Sequence, residues 1–182
     1  MVRLEQQAMS RLKPLTPEGK IPDHCSTQTL HRVSVMDTDM MGIVHHAHYV
    51  AMFERGRLEY LRRRTLPYKA LVQRGFHMPV VELNVRYKKP ARFEDVLRVE
   101  TRLGAVTRVT VRFDYAVSRL TADAPQPELL LEASVLLACV DDRTRPRALP
   151  EDVLAGLLLP EQQPSPTASF IPGSPADPAD IA

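Results

Sequence analysis

Residues 37–49 read Asp-Thr-Asp-Met-Met-Gly-Ile-Val-His-His-Ala-His-Tyr, and no other part of the 182-residue chain is so rich in groups that can do chemistry. A strand-like run from Leu30 to Val35 precedes this segment, and a helical pattern from Tyr49 to about Arg64 follows it. A strand that passes through a glycine turn into a helix places carboxylates beside a helix N-terminus, where free N–H groups and the helix dipole favour negative charge. The segment therefore predicts a site that can stabilise an oxyanion.

Composition and charge narrow the class of protein. Hydrophobic residues make up 44% and charged residues 25% of the chain, as in ordinary globular proteins, and a formal charge of +2 does not argue for nucleic acid. Cys25 and Cys139 are far apart and form no Cys-x-x-Cys motif, so we interpret them as reduced thiols. The N-terminal residues lack the apolar region of a signal peptide, and no run approaches the ~20 apolar residues of a membrane span. We expect a cytoplasmic protein without membrane insertion.

The chain divides into one domain and two tails. Residues 1–28 contain scattered prolines among mixed charges, and residues 160–182 are so rich in proline that regular structure is not expected. Residues 29–159 form the predicted domain. Its helix, over 47–64, is followed by a connector and then by four strand-like runs: Met78–Lys89, Val96–Leu103, Val106–Ser118 and Leu129–Val140. This order predicts an α+β fold in which an antiparallel sheet wraps around one long helix.

Two local predictions refine this fold. The Gly104-Ala105 pair predicts a tight hairpin between the second and third of the four runs. The helix is expected to bury one stripe against the sheet, formed by Ala47, Val50, Ala51, Glu54, Leu58 and Leu61. We interpret Phe53 and Tyr60 as core or interface residues rather than ligand contacts.

A resemblance supports this fold. The run from Val33 to Arg57 has the pattern Asp-x-Asp-x-x-Gly-Ile-Val-x-x-x-x-Tyr-x-x-x-Phe-Glu-x-x-Arg, and a second matching stretch extends from Arg86 to Asp95. Together they resemble the 4-hydroxybenzoyl-CoA thioesterase family of hotdog-fold proteins, especially the acyl-CoA thioesterases encoded beside the bacterial Tol-Pal system. The resemblance covers about residues 29 to 150 and implies a homodimer or homotetramer whose sites lie at subunit interfaces.

The resemblance also assigns roles to individual residues. Asp39 matches the catalytic carboxylate, which acts as nucleophile or as general base towards water. Gly42 matches the turn glycine that lets the backbone approach the ligand, and His46 matches the residue whose backbone N–H polarises the thioester carbonyl. Val35 departs from the pattern because Tol-Pal-type members usually carry a tyrosine there, which leaves rate and acyl preference open.

The chemistry is consistent with these roles. Thioester hydrolysis needs a base or nucleophile and an oxyanion stabiliser, which a carboxylate and a helix N-terminal N–H supply. We interpret Asp37 as a structural carboxylate at the turn. The three histidines could join the aspartates in binding a metal, but the spacing lacks a His-x-x-x-His pair, so we expect no metal and no cofactor. The separation of Asp39 from His45 and His46 does not match the hydratase members of the superfamily.

Coenzyme A carries phosphates, so a basic patch is expected. The candidates are Lys88 and Lys89, together with Arg92, near Pro90, and Arg108 at the start of the third run. For the lysines, an alternative is a solvated strand edge protected against aggregation. Glu54 either meets the site of a neighbouring subunit or, as we slightly prefer, pairs with a buried arginine.

We therefore predict a metal-free acyl-CoA thioesterase that releases a free carboxylic acid and CoA. The main alternative is a non-catalytic hotdog module that binds acyl-CoA or acyl-carrier protein. A metal-dependent hydrolase is the third reading.

Overall fold

The computed structural model describes residues 21–121 and 125–162. A short 3₁₀ helix, Val35–Asp37, lies between the first strand and the long helix. The other elements are, in chain order, β1 (Ser26–Arg32), α1 (His46–Arg64), α2 (Tyr68–Gln73), β2 (Val80–Tyr87), β3 (Val96–Val106), β4 (Thr110–Leu120), β5 (Glu128–Ala138) and α3 (Glu151–Leu157).

The strands form one five-stranded antiparallel sheet in the order β1-β3-β4-β5-β2. The register aligns Thr101, Tyr115, Ala133 and Val85 across four strands, so these residues share the face that α1 covers. The other face carries mainly charged and small polar residues. The predicted α+β architecture of an antiparallel sheet wrapped around one long helix is confirmed.

Helix α1 buries a different stripe from the predicted one. The residues against the sheet include Tyr49, Phe53, Gly56 and Tyr60, and the ring of Phe53 lies 4.7 Å from that of Tyr115. The predicted stripe is largely exposed, at Ala47, Val50, Ala51 and Glu54. Both stripes have helical spacing, and the aromatic one removes more apolar surface from water. The core role of Phe53 and Tyr60 is confirmed, since both are fully buried.

Gly56 shows how closely the helix approaches the sheet. A Cβ at this position would lie 2.2 Å from Oγ1 of Thr101 on β3. Since Cβ atoms do not tolerate such a distance, only glycine permits this approach. The close contact sets the height of α1 above the sheet.

The predicted hairpin between the second and third of the four runs is present as β3–β4, but the position of its turn at Gly104-Ala105 is wrong. These residues lie inside β3, at a bulge in its pairing with β4. The turn follows at residues 107–109, where Oγ1 of Thr107 accepts the backbone N–H groups of Val109 (3.3 Å) and Thr110 (3.0 Å). A threonine that caps its own turn replaces the expected glycine turn, and the glycine accommodates the bulge instead.

The ends of the domain differ slightly from the prediction. Strand β1 begins at Ser26, within the segment 1–28 assigned to a tail, and Cys25 is already buried. Near the other end, α3 docks on α1 through the Tyr60 hydroxyl, which donates to the carbonyl of Leu157 at 2.7 Å. Residues 1–20 and 163–182, which make up most of both predicted tails, lie outside the described residues.

Both cysteines are free thiols in the core. None of the helices in the described ranges is long and apolar enough to cross a membrane.

Candidate active site

The segment after β1 folds into a miniature hairpin. The N–H of Asp39 donates to the carbonyl of Ile43 and that of His45 to the carbonyl of Asp37, both at 2.9 Å. Gly42 closes the turn with φ +69°, a left-handed conformation that costs other residues about 1–2 kcal/mol. The predicted glycine turn between a carboxylate and a helix is therefore present.

The start of α1 leaves one backbone donor free. His45 is the N-cap, and its Nδ1 accepts the N–H of Ala47 at 3.3 Å. The N–H of His48 donates to the carbonyl of His45 at 3.0 Å. His46 is the first helical residue, a position without an intrahelical acceptor, and its N–H makes no hydrogen bond within the described chain. This N–H is available to a ligand.

Asp39 is half-buried beside this helix start. Its Oδ1 accepts the N–H of Met41 at 2.8 Å, which fixes the side chain across the turn. Among residues 21–121 and 125–162, no cation lies within ion-pair distance of the carboxylate. One carboxylate oxygen, Oδ2, thus remains available for chemistry.

A cavity of about 430 Å³ brings the predicted groups together. Asp39, His46, Lys88 and Lys89 all line it. Tyr49 and Tyr87, whose rings are 5.8 Å apart, also line the cavity, although neither is among the predicted site residues. The sequence signal for these two tyrosines is their position in the two motifs that carry the family resemblance. Burial raises the pKa of both hydroxyls, so the two tyrosines are neutral donors at neutral pH.

A second cavity, of about 480 Å³, lies over the other face of the sheet. Its lining includes Arg102, which pairs with Glu100 at 3.0 Å, and Asp114, which pairs with Arg112 at 3.2 Å. None of the predicted site residues lines it.

The two lysines are already ion-paired. Nζ of Lys88 lies 2.8 Å from Glu132, and Nζ of Lys89 lies 2.5 Å from Glu128. These contacts hold the pKa values of both glutamates below their usual range. A phosphate bound by these lysines would compete with the carboxylates of β5, so their positive charge is only partly available.

Arg108 does not join this cavity within one chain. It is exposed in the turn between β3 and β4, whereas the cavity lies beyond the opposite end of β4. Eleven residues of extended strand separate the two ends, a length of roughly 35 Å. Arg92 lies nearer, where its N–H donates to Asp95 at 2.7 Å, but its side chain does not line the cavity.

Both carboxylate oxygens of Asp37 have polar contacts. Oδ2 accepts the N–H of Ser34 at 2.8 Å and lies 3.0 Å from Nε2 of His31, while Oδ1 lies 3.3 Å from Nδ1 of His48. Partial burial alone would raise the pKa of this carboxyl, but the Ser34 and His31 contacts outweigh burial and lower it. This geometry agrees with the structural role expected for Asp37.

The preferred pairing of Glu54 is wrong. Glu54 is exposed, and within the described ranges no arginine lies within ion-pair distance of it. The buried arginine of α1 is Arg64, which stacks on Tyr60 at 4.1 Å and donates to Thr27 and to the carbonyl of His24. The remaining reading, a contact with a neighbouring subunit, stays a prediction.

The described part of the chain contains no cluster of three or more His, Cys, Asp or Glu side chains with the geometry of a metal site. His31 is instead hydrogen-bonded to Asp37, and Nδ1 of His48 lies 3.3 Å from the same carboxylate.

Comparison with known proteins places the chain in a family. Residues 33–157 match the model of the thioesterase-like superfamily. Acyl-CoA thioester hydrolase YbgC of Escherichia coli O157:H7 is 36% identical over 125 residues, which cover 68% of this chain and 90% of that protein. The chain belongs to the thioesterase-like superfamily, and the predictions of a hotdog fold and of an enzyme of the thioesterase class are confirmed.

Solved structures agree. A hypothetical protein from Thermus thermophilus matches with a TM-score of 0.65 and 35% identity, covering 72% of this chain and 95% of that one. The 4-hydroxybenzoyl-CoA thioesterase of Pseudomonas sp. strain CBS-3 matches with a TM-score of 0.65 and 25% identity, covering 71% and 97%. The chain is thus similar in sequence to the YbgC hydrolases and in structure to the 4-hydroxybenzoyl-CoA thioesterase.

Proposed function

We propose that this protein hydrolyses an acyl-CoA thioester to a free carboxylic acid and CoA without a metal, with Asp39 as base or nucleophile and the N–H of His46 as oxyanion donor. One observation carries the proposal: a single cavity contains both a carboxylate with a free oxygen and a helix N-terminal residue with a free N–H. The YbgC relatives, named as acyl-CoA thioester hydrolases, support the substrate class.

The reaction follows from these two groups. As a base, Asp39 takes a proton from water while the water oxygen attacks the thioester carbon. The carbonyl electron pair moves onto oxygen, where the N–H of His46 and the positive end of the α1 dipole stabilise it. When the carbonyl re-forms, the C–S bond breaks and the CoA thiolate takes up the proton. As a nucleophile, Asp39 would instead attack the thioester carbon and expel the CoA thiolate, which takes up a proton from water. Water would then hydrolyse the resulting mixed anhydride to the free acid and the regenerated Asp39 carboxylate.

The same proposal includes a homodimer. Strand β2 is an edge strand whose Val80 is 50%, Val81 49% and Tyr87 51% exposed, so it presents unpaired backbone and apolar side chains. Val50 on α1 is 40% exposed as well. Pairing of β2 with its copy in a second chain would cover this surface and exclude water from the cavity, which Tyr87 lines.

A dimer also gives Arg108 a role. The backbone N–H of Cys139 donates to Val109 and that of Ala138 to Pro79, so the β3–β4 turn and the start of β2 lie at the same end of the sheet. Antiparallel pairing of two β2 strands sets that end of one chain beside the cavity of the other. Arg108 then reaches the CoA phosphates in the partner's site, while Lys88 and Lys89 reach them from the same chain.

One observation favours the binding module. Val35 stands where a tyrosine hydroxyl is usual among Tol-Pal-type members, and it is 66% exposed near the site. A panel of acyl-CoA thioesters, with thiol release followed by a disulfide reagent, tests both readings. Hydrolysis of at least one member, lost in Asp39→Asn, supports the thioesterase. Tight binding of an acyl-CoA with no release from any member would establish the binding module.

A further inference from the structure

Asp37 contacts three parts of the molecule that surround the candidate site. Its carboxylate contacts His31 on β1 and His48 in the first turn of α1, while also accepting the N–H and the hydroxyl of Ser34. Its backbone carbonyl accepts the N–H of His45, the N-cap of α1. Asp37 therefore holds the start of α1 at two points, one on the backbone and one on a side chain.

One of these contacts also defines a hydrogen position. An ionised carboxylate only accepts hydrogen bonds, so Nε2 of His31, which is hydrogen-bonded to Asp37, carries hydrogen. Nδ1 of His48 lies within ion-pair distance of the same carboxylate, at 3.3 Å. The carboxylate side chain is 13% exposed, so water competes little for these contacts. We call His31, Asp37 and His48 the carboxylate clamp.

The clamp closes the loop that carries the reacting groups. Asp39 lies inside the loop that the hydrogen bond between His45 and Asp37 closes. The N–H of His46 follows directly after this loop, at the start of α1. The Asp37–His45 bond and the bridge between Thr38 and Val44 form the base of the miniature hairpin. The distance between the Asp39 carboxylate and the His46 N–H depends on this closure.

We propose that Asp37 is a positioning residue for thioester hydrolysis, which acts through His31 and His48 to hold the Asp39 turn and the oxyanion-binding N–H of His46 in register. The proposal rests on the proposed function and adds a set of residues to it. Asp37 does not line the cavity that contains Asp39 and His46, so we assign it a positioning role and not a catalytic one. Its contribution appears in kcat, since misplacing a reacting group by about 1 Å can cost 10²-fold in rate.

The test compares Asp37→Asn with Asp141→Asn in the full chain. Asp141 is a matched control because its carboxylate also accepts backbone N–H groups in a turn, those of Arg143 and Arg145 at 2.9 Å, but after β5. We expect Asp37→Asn to lower kcat about tenfold, because the clamp holds the site by hydrogen bonds that an amide keeps only in part. The Kd for a non-hydrolysable acyl-CoA thioether should stay within about twofold, and Asp141→Asn should change neither quantity.

Conservative variants separate positioning from packing. An asparagine at residue 48 places its amide nitrogen near the position of Nδ1, and a glutamine at residue 31 does the same for Nε2. His48→Leu and His31→Leu keep volume but lose the ring nitrogen that faces Asp37. We expect them to lower kcat, and His48→Asn and His31→Gln to recover most of that loss. If the leucine variants are as active as the amide variants, the clamp acts by packing and the proposal is wrong.

Failure of the proposal differs from failure of the proposed function. Wild-type protein that releases no thiol from any acyl-CoA would refute both. Active wild-type protein in which Asp37→Asn matches Asp141→Asn would refute the positioning role alone. If Asp37→Asn does not fold, the four histidine variants decide the question.

Discussion

Replacing Asp39 by asparagine tests the chemistry most directly. The amide keeps the side-chain oxygen that accepts the N–H of Met41, so the turn should persist. No cation in the described ranges pairs with Asp39, so removing its charge leaves no buried cation without a counter-ion. We therefore expect the free energy of unfolding to change by less than about 0.5 kcal/mol.

The effect on turnover should be far larger. An amide can act neither as base nor as nucleophile towards the thioester, and such losses reach ~10²–10⁴-fold in kcat. This range corresponds to about 2.7–5.4 kcal/mol in the barrier. The assay is thiol release from the preferred acyl-CoA, with urea unfolding and the oligomeric state measured on the same samples.

Two controls sharpen this result. Mass spectrometry should confirm that the asparagine has not deamidated, because a trace of restored Asp39 would mimic residual activity. Asp37→Asn should lose much less activity than Asp39→Asn. A kcat of Asp39→Asn near that of wild type would refute the catalytic assignment, and a reversed order of the two variants would show that the wrong carboxylate was chosen.

Three further predictions concern metal, CoA and pH. Prolonged chelation should leave activity unchanged; activity lost to a chelator and restored by one added metal would overturn the metal-free mechanism. Arg108→Ala should raise KM for acyl-CoA by an amount equivalent to about 1.5–3 kcal/mol, with little change in kcat, because one charge-assisted hydrogen bond is lost. Hydrolysis of an N-acetylcysteamine thioester, which has no nucleotide, should be unaffected. Equal losses on both substrates would show that Arg108 has a structural role. Because the pKa of Asp37 is lowered in the folded state, its ionised form should stabilise the fold at pH values above its ordinary pKa of 3.8, and this stabilisation should fade as the pH falls below 3.8. The measurement is urea unfolding of wild type and Asp37→Asn as a function of pH. A stability difference between the two that does not shrink in acid would contradict the prediction.

The sequence predicts best where structure is decided locally. The glycine turn, the adjoining helix start and the order of strands depend on spacing over a few residues, and these predictions agree with the structure. Asp39, His46, Lys88 and Lys89 meet in one cavity because the end of β2 lies beside α1. Arg108 does not meet them because its place depends on the direction and length of β4, which the spacing of charges does not encode. The hairpin turn was misplaced at Gly104 because glycine suits both a turn and a bulge, and here Gly104 lies at the bulge while Thr107 caps the turn.

The misassigned stripe of α1 carries information about assembly. Ala47, Val50 and Ala51 have the apolar character and spacing of a buried face, yet they are exposed in a single chain. The aromatic stripe that includes Phe53 and Tyr60 already accounts for packing against the sheet. A helix with two apolar stripes needs two partners, and the exposed β2 edge needs one as well. In the homodimer that we propose, one second copy of the chain would satisfy both, and it would also bring Glu54, on the same exposed stripe, towards the subunit interface. The exposure of the stripe that was predicted to be buried is therefore a feature that the proposed homodimer would explain.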